Sequence, residues 1–261
     1  MVQEAREFAG RIRQESPDHK KGADLLEDFA RSLGRQGLLP NNLPRVIQEP
    51  RRRSSRNEAP VATELNLDTE WQRQANRYVE LGYHTELKMT PEEYLQALPK
   101  FEPQPEEYRD RFNVPLLVET RIPWEKQAEL AGVVVSEYLR SNINETKPFD
   151  DRSQTPETPY TGWFNRWDER FTRRIAPLDA RKQLTADEIG GGPHEGVAMQ
   201  VAHPEITQSG KRFDLIGYNV ESDRVPSLRH WYGAPRLHAF WGDDAYGRLR
   251  PLVRGSKIVT G

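Results

Sequence analysis

The chain has no cysteine in its 261 residues, which excludes disulfides, thiolate nucleophiles and cysteine-ligated metals. It has little excess charge. Lysine and arginine number 38 against 40 acids, a net charge of −2, so no global field favours nucleic acid or an anionic membrane. It lacks any run of about 18 apolar residues, the length a membrane span needs. Its first residues, MVQEAREFAGRIRQE, lack the apolar centre of a secretory signal. These absences point to a soluble cytoplasmic protein with no membrane partner. Hydrophobic residues are sparse at 35% and charged ones plentiful at 30%, so part of the chain is expected outside a packed core.

What is present divides the chain into three. Residues 1–40 read as a helical arm, with Phe8, Ile12, Leu25, Leu26, Phe29 and Leu33 at helical spacing and Gly34 and Gly37 as stops. Residues 41–66 are a polar linker punctuated by Pro44, Pro50 and Pro60, and they hold a basic patch of Arg51, Arg52, Arg53 and Arg56. Residues 67–261 form a single packed domain. Its first half predicts helices: Asp68–Leu81, closed by Gly82, then one opened by Thr90-Pro91-Glu92-Glu93, a capping box with proline at the first helical position. Val114–Glu119 reads as a buried strand whose first residues, at Pro115, should lie outside the ladder. Pro123 opens another helix to about Ala131, and 133–135 is its continuation or a strand. Residues 141–159 are loop.

Tyr160, Trp163, Phe164, Trp167 and Phe171 suit a helix by spacing and a strand by composition. Thr185–Glu188 looks like a second capping box, interrupted by Gly190-Gly191-Gly192. A helix restarts at Pro193 and ends near Pro204. The remainder reads as short strands around 213–217, 227–228, 236–241 and 257–259. Helices first and strands later, without βαβ alternation, predict an α+β fold with mainly antiparallel strands in the C-terminal half.

Several patterns recur in order: Thr158-Pro159-Tyr160, Leu184-Thr185 with Glu188, Glu195-Gly196-Val197-Ala198, His203-Pro204-Glu205, Val225-Pro226-Ser227-Leu228, and Gly233-Ala234-Pro235-Arg236-Leu237. With weaker matches from Trp71 onward, they resemble an uncharacterised family of bacterial proteins, a domain of unknown function, over about 71–261. The resemblance implies a compact α+β domain in the bacterial cytosol and no particular reaction.

Candidate chemistry is thin. His194, Glu195, His203, Asp243 and Asp244 could serve a metal-dependent hydrolase if they converged. However, His194 and His203 are nine residues apart, which at roughly 100° per residue puts them on opposite faces of one helix. There is no H-E-x-x-H and no Gly-x-Ser-x-Gly elbow. The three glycines could cradle an anion, but no P-loop follows and no dinucleotide fingerprint surrounds them. Tyr160, Trp163, Arg166, Trp167, Trp231 and Trp241 could form an aromatic recognition surface, or core. The expectation is a non-enzymatic binding protein with no cofactor and no resident metal. It would meet a protein partner, or itself, through the N-terminal arm. Nucleic-acid contact through Arg51–Arg56 and Arg248–Lys257 is the weakest alternative.

Overall fold

The computed structural model describes residues 65–165, 175–205, 212–221, 223–231, 233–244 and 249–261. The chain divides between Val61 and Ala62, and every described residue falls in the unit Ala62–Gly261. The predicted arm, the basic patch of the linker, Arg166 and Trp167 lie outside the described residues.

The architecture is α+β. Helix α1 (Leu67–Glu80) is capped by Asn66, whose Oδ1 accepts from Thr69 N at 2.9 Å, and stops before Gly82, which sits at φ 82°. A short α2 (Tyr83–Glu86) leads to α3 (Pro91–Gln96). There the expected capping box is complete: Glu93 N donates to Thr90 Oγ1 and Thr90 N to Glu93 Oε2. Strand β1 (Val114–Val118) and α4 (Trp124–Leu130) follow, then β2 (Val134–Val135), α5 (Glu137–Ser141) and β3 (Thr146–Pro148).

The described part of the aromatic block forms strand β4 (Tyr160–Phe164), buried at every position; Trp167 and Phe171 lie outside the described residues. Beyond it come α6 (Pro177–Lys182), β5 (Glu188–Gly190) and α7 (Pro193–Ala202). The C-terminal strands are β6 (Arg212–Asp214), β7 (Tyr218–Val220), β8 (Arg224–Trp231), β9 (Ala234–Trp241), β10 (Leu249–Pro251) and β11 (Val253–Thr260).

Two sheets result. The first is four-stranded and antiparallel, in the order β1-β4-β11-β5. The second is seven-stranded, with the path β10-β6-β8-β7-β3; β9 lies along β8, and β2 along β9. Only β10–β6 and β2–β9 run parallel among its pairs. Helix α7 is apolar on nearly all sides because it passes through the interior, touching α1, α4, β1 and β8. Its Val197, Ala198, Met199 and Val201 join one core with Leu116, Leu117, Phe164, Phe213, Leu228 and Leu237.

Two expectations are corrected. Pro115 is inside the ladder, opposite Trp163; β1 is an edge strand, so a residue without N–H is tolerated there. Thr185–Glu188 starts no helix. Thr185 Oγ1 donates to Asp187 Oδ1 instead of accepting from residue 188, and residues 188–190 pair with β11. Gly190 is required at that point: a Cβ there would stand 2.6 Å from Gly217 N and 2.9 Å from Gly217 Cα.

Candidate recognition surface

The antiparallel register of β8 with β9 sorts the hairpin's side chains onto two faces. Leu228 opposes Leu237 and both are fully buried, which marks the core-facing side. Ser227, Arg229 and Trp231 alternate onto the other side, opposite His238, Arg236 and Ala234. Strand β6 adds Arg212 and Asp214, in register with Arg229 and Ser227. Phe240 shares this outer face opposite Val225, which packs into a second, smaller core. The hairpin closes between Trp231 and Ala234, with Gly233 at φ 78°.

The outer face is a stack of guanidinium groups and rings. Arg229 lies 3.7 Å over Trp231 and 4.7 Å over Phe240, and Arg212 lies 4.9 Å over Phe240. His238 sits between the rings, 5.5 Å from Trp231 and 5.9 Å from Phe240. Arg236 Nε donates to Trp231 O at 3.0 Å. Trp231 is 40% exposed, a large ring held at the surface rather than folded away. Burial, with Arg229 and Arg236 nearby, lowers the His238 pKa to about 4, so it is a neutral ring at pH 7. Across Ser227 from it, Asp214 is buried, and burial pushes its pKa up to about 6 against the pull of Arg212 and Ser227. Such a surface offers flat apolar area with positive charge laid across it.

The other expected aromatics do not join this surface. Tyr160 is fully buried and Trp163 nearly so, its Nε1 donating to Glu102 O at 3.2 Å; both are core. Trp241 is 47% exposed but lies opposite Arg224, on the reverse face and at the far end of the hairpin. At ~3.3 Å per residue that is roughly 20 Å from Trp231. There Arg224 is sandwiched between Trp241 at 4.1 Å and Tyr138 at 4.2 Å. Arg212, Arg229, Arg236 and Phe240 were not singled out by their sequence. The signal was the alternation Arg229-x-Trp231 and Arg236-x-His238-x-Phe240, which puts each set on one face of a strand.

The hydrolase residues are dispersed. His194 stands in the first turn of α7, half-buried with its ring nitrogens enclosed, and burial lowers its pKa. His203 follows the last turn, 3.5 Å from Glu205 and 3.9 Å from Glu70. Asp243 and Asp244 belong to the turn after β9. Among the described residues no three His, Asp or Glu side chains gather as metal ligands.

The glycine run cradles no external anion at Gly192: the chain's own Glu195 Oε2 accepts Gly192 N at 3.0 Å. Of the expected basic strip near the C-terminus, Arg248 lies outside the described residues. Arg254 is buried 3.7 Å from Glu195, and Lys257 pairs with Glu107 at 2.5 Å. No helix among the described residues is long and apolar enough to cross a membrane. The chain matches no family model, no curated protein and no solved structure. The family resemblance over 71–261 therefore rests on its residue patterns alone.

Proposed function

We propose that this protein acts by binding another protein, with the outer face of the β8–β9 hairpin as its recognition element. The observation that carries the proposal is Trp231, held half out of the surface by Arg229 at 3.7 Å. A ring and a guanidinium fixed against each other lose little side-chain freedom on contact, and Trp and Arg dominate the energetics of protein interfaces. The five residues of the hydrolase alternative are spread over both ends of α7 and the turn after β9, which favours the binding reading over it.

The test is a photo-cross-linking amino acid placed at position 231, with position 72 on α1 as an exposed control. In cells, 231 should give a discrete adduct that Arg229→Glu removes, while 72 should not. Equal adducts at both positions would refute the reading. Binding of a single-stranded oligonucleotide at this face, falling steeply with salt, would move the assignment to nucleic acid.

A further inference from the structure

The register of β6, β8 and β9 sets three arginines side by side. Arg212 opposes Arg229, and Arg229 opposes Arg236, so a row of like charge crosses the recognition face. At roughly 4.8 Å between strands the row is about 10 Å long. Like charges directly opposite each other weaken a sheet. The row is thus a local cost, and costs of that kind gather at functional surfaces. On β2 the row continues into Val134, which opposes Arg236 and is 37% exposed. Three cations in line therefore end on an apolar side chain. Trp231 stands on the same face, two residues along β8 from Arg229.

The acids near the row gather at its β6 end. Arg212 is 13% exposed as a side chain, with its Nε 3.7 Å from Asp214 Oδ1. Asp214 and, more weakly, Asp244 pull on it. Three arginines against these two acids leave 3 − 2 = +1 among the described side chains. The β9 end is the positive one, and His238 reports the sign there. After burial, the charged groups that lower its pKa are Arg229 and Arg236, both cationic. These two arginines are half-buried and held by contacts within the chain: Arg229 over Trp231, and Arg236 on Trp231 O. What they offer a partner is a positive field in a fixed geometry.

We infer, resting on the binding role proposed for this face, that its partner is an acidic protein segment, with carboxylates over the Arg229–Arg236 end of the row and apolar side chains against Trp231 and Val134. A carboxylate set between two neighbouring guanidinium groups relieves their repulsion while attracting both. Nucleic acid fits less well. A phosphate backbone is tracked by a longer run of cations, whereas this row stops at Val134 and the whole chain carries a net charge of −2.

The experiment is an NMR titration of the full chain at low ionic strength, read at the Trp231 indole N–H. The probe is a nine-residue peptide of three Glu-Glu-Leu repeats, against the same peptide with Gln for Glu and against an eight-nucleotide oligothymidylate. The acidic peptide should shift the signal saturably, the neutral one at least tenfold more weakly, and added salt should weaken the acidic peptide's binding. Arg236→Gln should weaken it roughly fivefold and leave the melting temperature unchanged or higher, because it thins the like-charged row. Arg212 is not the variant of choice, since it also offsets buried Asp214. If Arg236→Gln does not fold, the comparison of the two peptides on the wild type decides. Equal binding of both peptides, or tighter binding of the oligothymidylate, overturns the inference. A cross-linked adduct at position 231 in cells, with no shift by the acidic peptide, keeps the binding role and removes the acidic partner; absence of both removes the two together.

Discussion

Gln74 pairs with Leu117 as a neighbouring strand would. Its Oε1 accepts Leu117 N at 2.9 Å, and its Nε2 donates to Pro115 O at 2.9 Å, so one side chain of α1 closes the open edge of β1. Tyr78, one turn along, donates to Leu117 O at 2.7 Å. All three residues are buried, so water cannot replace these bonds. Gln74→Leu keeps the volume but orphans a buried N–H and a buried carbonyl, and should cost about 2–4 kcal/mol. Tyr78→Phe should cost less, about 1–2 kcal/mol, because it orphans one buried carbonyl where Gln74→Leu orphans two groups. Urea unfolding of the two variants checks the ranking; a Gln74→Leu protein as stable as wild type would show the edge is closed by something else.

That edge also marks the limit of what the sequence discloses. The α1 helix, the Thr90 capping box, the Gly82 stop and the α7 start at Pro193 are local events, written in residues three or four apart. The pairing of Gln74 with β1 joins residues 43 apart, and nothing near either one announces it. The same contrast separates the two apparent capping boxes. Thr90 and Glu93 are exposed or nearly so and serve each other. Glu188 is fully buried and held by Arg111, so its backbone follows the sheet. Of the recognition face, Trp231 was visible as a tryptophan, but its partners were not. Which arginines stack on it depends on the β8–β9 register, and Arg212 arrives from a third strand.

Among the described residues, Glu195 and Arg254 form the most enclosed charge pair, 3% exposed each as side chains and 3.7 Å apart. Glu195 also accepts Tyr160 OH at 2.6 Å and Gly192 N at 3.0 Å, joining α7, β4 and β11. Removing one partner leaves a buried charge uncompensated, so Glu195→Ala should cost about 3–5 kcal/mol. Glu195→Gln, which retains an acceptor for Tyr160, should cost less. Combining Glu195→Gln with Arg254→Met should cost less than the sum of the two singles, since the pair then disappears together. Additive losses in a double-mutant cycle would mean the two groups do not interact.

Gly190 and Gly217 meet backbone to backbone, and Gly217 N donates to Gly191 O at 3.0 Å. No side chain can rotate away from that contact, so Gly190→Ala must push β5 off the loop before β7. The expected loss is about 2–4 kcal/mol, the scale of overpacking with a backbone shift. A thermal melt checks this, and an unchanged melting temperature would show that the loop yields without cost.

Asp214 and His238, on the two strands that flank Ser227 of β8, set opposite pH slopes. For Asp214 the folded pKa is about 6 against an ordinary value of 3.8. The folded state holds its proton more tightly, so this carboxylate destabilises the fold above pH 6 and ceases to as pH falls toward 3.8. For His238 the folded value is about 4 against 6.5, so its contribution is present above pH 6.5 and is lost as pH falls toward 4. Between these limits the two slopes oppose each other in the wild type. Asp214→Asn should therefore stabilise the protein at pH 7.5, by about 2–3 kcal/mol at the 1.36 kcal/mol carried by each pKa unit. It should give no gain at pH 4, and acidification should then cost more than in the wild type. His238→Phe should do the reverse, with stability rising as pH falls from 6 toward 4. Urea midpoints for the three proteins from pH 4 to 7.5 decide it. Parallel profiles for Asp214→Asn and wild type would mean that Asp214 keeps an ordinary pKa in the fold.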